Sequence, residues 1–104
     1  MKIKDFIKEK HYYGYKKGGC TIYFRAWHVE YNSILDYMIV GAKCIKHFRK
    51  DDYFEGRFTI IKSNYRGRLN ITQKDLDSGR IWETTKEEII EAAMNVVKNS
   101  LIDF

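Results

Sequence analysis

The stretch CTIYFRAWHVEY, residues 20–31, decides the fold, because its apolar and polar side chains alternate along the chain. In an extended chain, successive side chains face opposite sides. The two sets are Cys20, Ile22, Phe24 and Ala26 on one side, and Thr21, Tyr23, Arg25 and Trp27 on the other. A period of two with several aromatic residues is typical of a β-strand that covers a core with one face. Residues 20–31 therefore predict a strand, followed by a turn over residues 30–33.

Residues 34–50 fit two secondary structures. As a strand, they place Met38, Val40, Ala42 and Cys44 on one face. As a helix, they have Ser33 as a capping residue and an apolar stripe made of Ile34, Leu35, Met38, Ile39, Ala42 and Ile45. Gly41 weakens either structure. The pattern favours the strand, and the helix remains open.

Shorter elements follow before the last third of the chain. Residues 55–64 alternate and predict a strand, and residues 65–68, with the sequence YRGR, indicate a tight turn into a short strand over 69–72. Thr72 and Asp75 have the spacing that caps a helical turn, which ends at Gly79. An extended segment over residues 80–83 comes next.

The two ends of the chain predict helices. Ile3, Phe6 and Ile7 have helical spacing and indicate a short amphipathic helix over residues 2–10. Residues 11–19, which contain YYGYKKGG, indicate a turn or mobile loop. Near the other end, Thr84 with Glu87, or Thr85 with Glu88, forms a capping box. The apolar stripe that follows predicts a helix packed on the sheet, and it consists of Ile89, Ile90, Ala93, Met94, Val97 and Leu101.

These elements predict one compact α+β domain over residues 1–104. It consists of an antiparallel sheet of three to four strands with an N-terminal and a C-terminal helix. A length of 104 residues and a hydrophobic content of 44% suit a single core. No apolar run reaches the roughly 18 residues that a membrane span needs, and charges at Lys2, Lys4 and Asp5 interrupt any signal-peptide pattern. We therefore expect a cytoplasmic protein without a membrane partner, whose two cysteines are thiols.

The charge distribution points to polyanions as partners. Lysine and arginine number 19 against 14 acidic residues, which gives a net charge of +5 and a pI near 9.2. The basic residues extend through residues 57–74, which contain no acid, whereas the chain from Asp75 onward is mainly acidic. A basic surface attracts nucleic acid by releasing bound counterions. A solvated lysine-rich surface is the alternative, favoured by the absence of proline and the abundance of residues with A/T-rich codons.

The residues that could carry catalysis or bind metal form no recognised motif. The soft-ligand set is Cys20, His28, Cys44 and His47, with one close pair where a structural zinc site usually has two. On a strand, Cys44 and His47 would also point to opposite faces. No phosphate-binding glycine loop, nucleophile elbow or metalloprotease helix is present in the sequence. We expect no catalytic residue, no metal, no cofactor and no enzymatic activity.

Aromatic side chains beside cations are the remaining functional signal. They occur in three groups, which are Tyr15, Lys16 and Lys17; Arg25 and Trp27; and Tyr65, Arg66 and Arg68. Aromatic rings can stack on bases while cations neutralise phosphates, and the same residue types are frequent at the centres of protein interfaces. A purely structural role is the third possibility. If both glycine-containing turns lie on one edge of the sheet, we expect Lys16, Lys17, Arg66 and Arg68 to form one basic rim.

The sequence therefore favours a non-enzymatic binding module. Its basic, aromatic surface would contact nucleic acid or a protein complex that handles nucleic acid. The alternative is a phage or mobile-element inhibitor of the anti-CRISPR or anti-restriction type, which blocks a host defence nuclease by protein–protein contact. The identity of the partner and the oligomeric state remain open at this level.

Overall fold

A long antiparallel hairpin, β2 (Cys20–Asn32) and β3 (Tyr37–Lys50), forms the centre of the fold. The computed structural model describes residues 1–50, 58–61 and 66–102, with side chains for 1–48 and 66–95. The other elements, in chain order, are helix α1 (Ile3–Phe6), strands β1 (Tyr12–Lys17), β4 (Phe58–Ile61) and β5 (Arg66–Thr72), helix α2 (Gln73–Asp77), strand β6 (Ile81–Thr84) and helix α3 (Lys86–Ile102). The α+β class predicted from the sequence is confirmed.

In the described part of the chain, six strands occupy five positions in one antiparallel sheet. β1 pairs with the outer edge of β2, and β6 pairs with the free edge of β1. β4 and β5 both pair with the outer edge of β3, one beyond the other. The sheet therefore has more strands than the three to four that the sequence predicted.

Several local predictions are confirmed, and those for residues 11–19, 30–33 and 65–68 are wrong. The turn expected over residues 30–33 lies at residues 33–36, because β2 continues to Asn32. Residues 20–31 form a strand, and the strand alternative for residues 34–50 is the observed one. Residues 11–19 are not a loop, because Tyr12–Lys17 is a strand that a two-residue turn at Gly18 and Gly19 joins to β2. Gly18 has a φ of +60°, which glycine adopts most readily. The predicted turn over residues 65–68 is also wrong, since Arg66–Thr72 is a strand, and Tyr65 lies outside the described residues.

Two register shifts bend the central hairpin. They fall between Tyr23 and Phe24 and between Ala26 and His28. Because Ala26 pairs with Ala42 and His28 pairs with Gly41, Trp27 is the extra residue of a β-bulge. Bulges re-aim side chains and increase strand twist, and this one determines where Trp27 projects.

One face of the bent sheet encloses the core. Strands from both edges contribute to it, since Ile71 of β5 and Ile81 of β6 belong to the same cluster. The remaining buried members are Ile3, Ile7, Tyr13, Tyr15, Phe24, Ala26, Met38, Val40 and Ala42. The sheet therefore curls, bringing its edges towards each other around the core.

The two short helices complete this side of the molecule. α1 is shorter than the predicted residues 2–10, and its Ile3 backbone N–H donates to Oε1 of Gln73 in α2 at 2.8 Å. In α2 the predicted cap is present, because the Thr72 side chain accepts from the Asp75 N–H and the Asp75 carboxylate accepts from the Thr72 N–H. These contacts connect the beginning of the chain to the β5–β6 connection.

α3 packs with only part of the predicted apolar stripe. Thr85 Oγ1 accepts from the Glu88 N–H at 3.1 Å, which is the second of the two predicted capping pairs. Ile89 is fully buried, whereas Ile90 is 49% exposed and Met94 is also exposed. The predicted burial of Ile90 and Met94 is therefore wrong, and the side chains of Val97 and Leu101 lie outside the described residues. Among the described helices, none is long and apolar enough to cross a membrane.

Candidate functional site

A row of three cations crosses the sheet on the face opposite the core. Arg25 of β2 lies opposite Lys43 of β3, and Lys43 lies opposite Arg66 of β5. All three side chains are exposed, while their chain neighbours Phe24 and Ala42 point into the core. Residues directly opposite on antiparallel strands have Cβ atoms about 4.5–5.5 Å apart, and like charges at that spacing destabilise the sheet. A bound anion would relieve this repulsion.

Trp27 lies beside this row, on the backbone of the neighbouring strand. The bulge projects its indole over Gly41, and a Cβ built on Gly41 would come within 2.7 Å of Trp27 Cε2. Trp27 is nevertheless 53% exposed, so one part of the residue contacts the sheet and the rest faces solvent. His28 lies next to it, with the two ring centroids 5.8 Å apart.

Arg68 completes the group. It lies in β5, opposite Gly41 of β3, and its side chain is exposed. Since it is two residues from Arg66 on the same strand, both arginines point to the same side of the sheet. We call this surface the basic face, and it consists of Arg25, Trp27, Lys43, Arg66 and Arg68.

The charges of the basic face are not neutralised by the described residues. The ion pairs among those residues involve His11, His28 and Arg80, and no cation of the basic face takes part in them. Arg25 Nε donates to the carbonyl oxygen of Lys10 at 3.4 Å, which leaves its charge uncompensated. Towards the tip of the hairpin the surface becomes mixed, because Glu30 lies 2.9 Å from His28 Nε2.

The structure brings together four of the residues that the sequence singled out. Arg25, Trp27, Arg66 and Arg68 were predicted in two separate groups, and the register of β2, β3 and β5 makes them one surface. Lys43 was missed. Its signal was the alternation in residues 34–50, which points Lys43 away from the core once those residues are taken as a strand.

The tyrosine–lysine group of β1 does not join this surface. Tyr15 is only 5% exposed, and its hydroxyl donates to Asp75 Oδ2 at 3.2 Å. Burial and the Asp75 carboxylate raise its pKa above the usual value. Tyr15 is therefore a core residue, not the exposed binding residue that the sequence suggested.

Lys16 and Lys17 are exposed but lie away from the basic face. Lys16 pairs with Thr21, whereas Arg25 pairs with Tyr12 at the other end of β1. Four residues of strand correspond to about 13 Å. The rim was expected from two turns, but its four cations lie in strands β1 and β5, so that arrangement is wrong. Tyr65 lies outside the described residues. Lys16 Nζ instead lies 5.6 Å from the centroid of the Trp82 ring.

The soft-ligand candidates do not converge. Cys44 is buried opposite Phe24, and Cys20 is half-buried opposite Arg49. Among the described residues, no group of three or more histidine, cysteine or acidic side chains could hold a metal ion.

The basic face offers the two kinds of contact that an extended polyanion with aromatic rings requires, which are ring stacking and charge pairing. The half-exposed indole of Trp27 can stack on a base, and the four cations around it can contact phosphates. Comparisons of this chain with protein-family models, with curated proteins and with solved structures find no match.

Proposed function

We propose that the protein is a non-enzymatic module that binds single-stranded nucleic acid on its basic face. The observation that carries this proposal is the row Arg25–Lys43–Arg66 beside an exposed tryptophan. The row keeps three like charges on adjacent strands, and the described part of the chain supplies no counter-charge. An anionic ligand supplies it.

The aromatic ring makes a single strand a better ligand than a duplex. In a duplex, the bases are stacked on each other and are not free to stack on a protein side chain. In a single strand, a base can leave its neighbours and stack on Trp27, which contributes about 1–3 kcal/mol per base. The cations on either side then contact the phosphates that flank this base. This combination favours binding with little dependence on sequence.

Fluorescence anisotropy with a labelled single-stranded oligonucleotide of about 12 nucleotides tests the proposal, since single domains cover about 4–16 nucleotides. Trp27→Ala and the double variant Arg66→Ala/Arg68→Ala should each weaken binding about tenfold or more. The matched control is Lys2→Ala/Lys4→Ala, which removes the same charge from exposed positions outside the basic face. The control should bind within about twofold of the wild type.

Two outcomes would contradict the proposal. If the wild-type protein does not bind the oligonucleotide at low salt, the basic face has another ligand. If the control loses as much affinity as Arg66→Ala/Arg68→Ala, binding reflects net charge and not this surface. Circular dichroism of each variant shows that it is folded before its affinity is compared.

The second candidate function is inhibition of a nuclease complex, as phage and mobile-element proteins of the anti-CRISPR type do. The observation that favours it is the tip of the β2–β3 hairpin, where Ile34 is 90% exposed and Leu35 is also exposed. Two adjacent exposed aliphatic side chains suit insertion into a groove of a protein partner. Ile34→Ser/Leu35→Ser should then abolish inhibition of the nuclease without changing the affinity for the oligonucleotide. Equal inhibition by this variant and the wild type would contradict that role.

A further inference from the structure

A second basic site lies at the Thr72 end of β5, and Arg66 and Arg68 lie towards the other end of this strand. It is a half-open cleft of about 630 Å³ between the end of β1 and the β5–α2–β6 segment. Tyr15 and Asp75 are among its lining residues. The cations that line it are Lys16, Lys17, Lys74 and Arg80. We call it the basic cleft.

Among the described residues, the one acidic group that lines the cleft is already compensated. The Asp75 carboxylate accepts from the Tyr15 hydroxyl at 3.2 Å and from the Thr72 N–H at 3.0 Å. Arg80 Nη1 lies 3.6 Å from its other oxygen. The charges of Asp75 and Arg80 therefore cancel, and the three lysines remain as excess positive charge.

The lysines have no acidic partner in the described part of the chain. None of them forms an ion pair there, and Lys16 lies over the ring of Trp82. Asn70 and Thr72 add polar groups to the wall of the cleft. Lys17 and Lys74 are therefore the uncompensated cations of a concave site with polar walls, which suits a compact anion of high charge.

β5 connects the basic cleft to the basic face. Arg66, Arg68, Asn70 and Thr72 occupy alternate positions of this strand, and all four are exposed. They therefore lie on one side of β5, with the arginines in the basic face and the other two residues at the cleft. The distance from Arg68 to Thr72 along the strand is about 13 Å, which an extended nucleic-acid chain can span.

We infer that the basic cleft binds the terminal phosphate monoester of a nucleic-acid strand whose bases lie on the basic face. This inference rests on the proposed function. A terminal monoester carries about 1.5–2 negative charges at neutral pH, whereas an internal phosphodiester carries one. The uncompensated charges of Lys17 and Lys74 in the lining of the cleft match the higher charge. The cleft is also concave where the basic face is open, which suits the end of a chain.

Three labelled oligonucleotides of one sequence test this inference, with a 5′-phosphate, with a 3′-phosphate, or with hydroxyl groups at both ends. One of the phosphorylated strands should bind about tenfold more tightly than the hydroxyl strand, since charge-assisted hydrogen bonds are strong. Which of the two does so gives the polarity of the bound strand. Lys17→Ala/Lys74→Ala should remove this preference and change the affinity for the hydroxyl strand far less, while Lys2→Ala/Lys4→Ala should keep the preference.

The contrary outcomes separate the inference from the proposed function. If all three strands bind the wild-type protein equally, the cleft does not recognise a terminal phosphate, and the function of the basic face is unaffected. If Lys17→Ala/Lys74→Ala weakens all three strands by the same factor, the cleft contacts internal phosphates and the assignment of a strand end is wrong. If no strand binds, the proposed function itself fails and the inference fails with it.

Discussion

Trp27 lies against Gly41 so closely that any side chain at position 41 would occupy the space of the indole. A Cβ there would be 2.7 Å from Cε2 and 2.9 Å from Cζ2 of the tryptophan. Because Gly41 has no side chain, the indole of Trp27 can lie directly against the backbone of β3. Gly41 therefore determines the position of the exposed ring. In the proposed function, this relationship places the stacking surface next to the cations of the basic face.

Gly41→Ala should displace the indole and weaken binding of the oligonucleotide almost as much as Trp27→Ala does. The physical reason is steric, since contacts below 3 Å are not tolerated and the ring must move. Overpacking of this kind typically costs about 1–3 kcal/mol of stability. Anisotropy titrations of the two single variants and of Trp27→Ala/Gly41→Ala give a double-mutant cycle. If the two losses add fully, Gly41 does not act through Trp27.

Gly14→Ala should destabilise the protein without involving the basic face. Gly14 in β1 lies opposite Trp82 of β6, and a Cβ at this position would be 2.3 Å from Trp82 Cζ2. The ring of Trp82 also packs edge-on against Tyr23, which restricts its movement. We expect a loss of about 1–3 kcal/mol in the free energy of unfolding, measured by urea denaturation. In a Trp82→Ala background the same substitution should cost much less, and an equal cost would contradict the steric explanation.

The predictions from the sequence were most reliable in segments where one periodic pattern determined the structure. The alternation in residues 20–31 gave the correct strand and faces, and the spacing of Thr72 and Asp75 gave the correct cap. The predictions failed where a glycine fits either a turn or a strand. Gly14 and Gly67 suggested turns, yet both lie inside strands, and at Gly14 the reason is the ring of Trp82.

The site was predictable by residue type but not by arrangement. Four residues of the basic face were identified as candidates by the residue types next to them in the chain, and these are Arg25, Trp27, Arg66 and Arg68. These residues come together through the register of strands that lie about 40 residues apart in the chain. Local sequence patterns do not encode that register. The opposite error occurred at Tyr15, because an aromatic residue beside two lysines was expected to be exposed. Gly14, between Tyr13 and Tyr15, obscured the alternation that points both tyrosines into the core.

Ile89→Asp and Ile90→Asp should differ sharply in stability, although the residues are adjacent. Ile89 of α3 is fully buried, whereas Ile90 is about half exposed. An unpaired carboxylate at the buried position has a large desolvation cost in addition to the lost apolar contacts. We expect Ile89→Asp to unfold the protein or prevent its purification, and Ile90→Asp to melt near the wild-type temperature. Similar melting of both variants would show that α3 does not pack through Ile89.

The stability of the protein should decrease as the pH rises above 10. Burial raises the pKa of Tyr13 and of Tyr15 above the usual tyrosine value of 10.0. Below that pH both tyrosines are neutral in the folded and unfolded chains, and their contribution is complete. Above it the unfolded chain ionises first, so the free energy of unfolding falls until the pH passes the folded-state pKa.

Denaturant melts of the wild type and of Tyr13→Phe, between about pH 9 and pH 11, test this expectation. Lysines titrate in the same range, so the comparison is the difference between the two slopes. Tyr13→Phe also loses the hydrogen bonds with the Lys8 N–H and the Phe6 carbonyl. It should therefore start less stable at pH 9 but lose less with rising pH. Parallel pH profiles would contradict a raised pKa for Tyr13.

The affinity for a single-stranded oligonucleotide should depend on salt in proportion to the cations of the basic face. For single strands, the slope of log K against log salt is about −0.7 for each phosphate neutralised. With Arg25, Lys43, Arg66 and Arg68 in contact, we expect a slope near −3 in titrations with hydroxyl-ended strands. Arg66→Ala/Arg68→Ala should make it shallower by about 1.4, whereas Trp27→Ala should lower the affinity at every salt concentration and leave the slope unchanged. A slope that Arg66→Ala/Arg68→Ala does not alter would show that these two arginines do not contact phosphates.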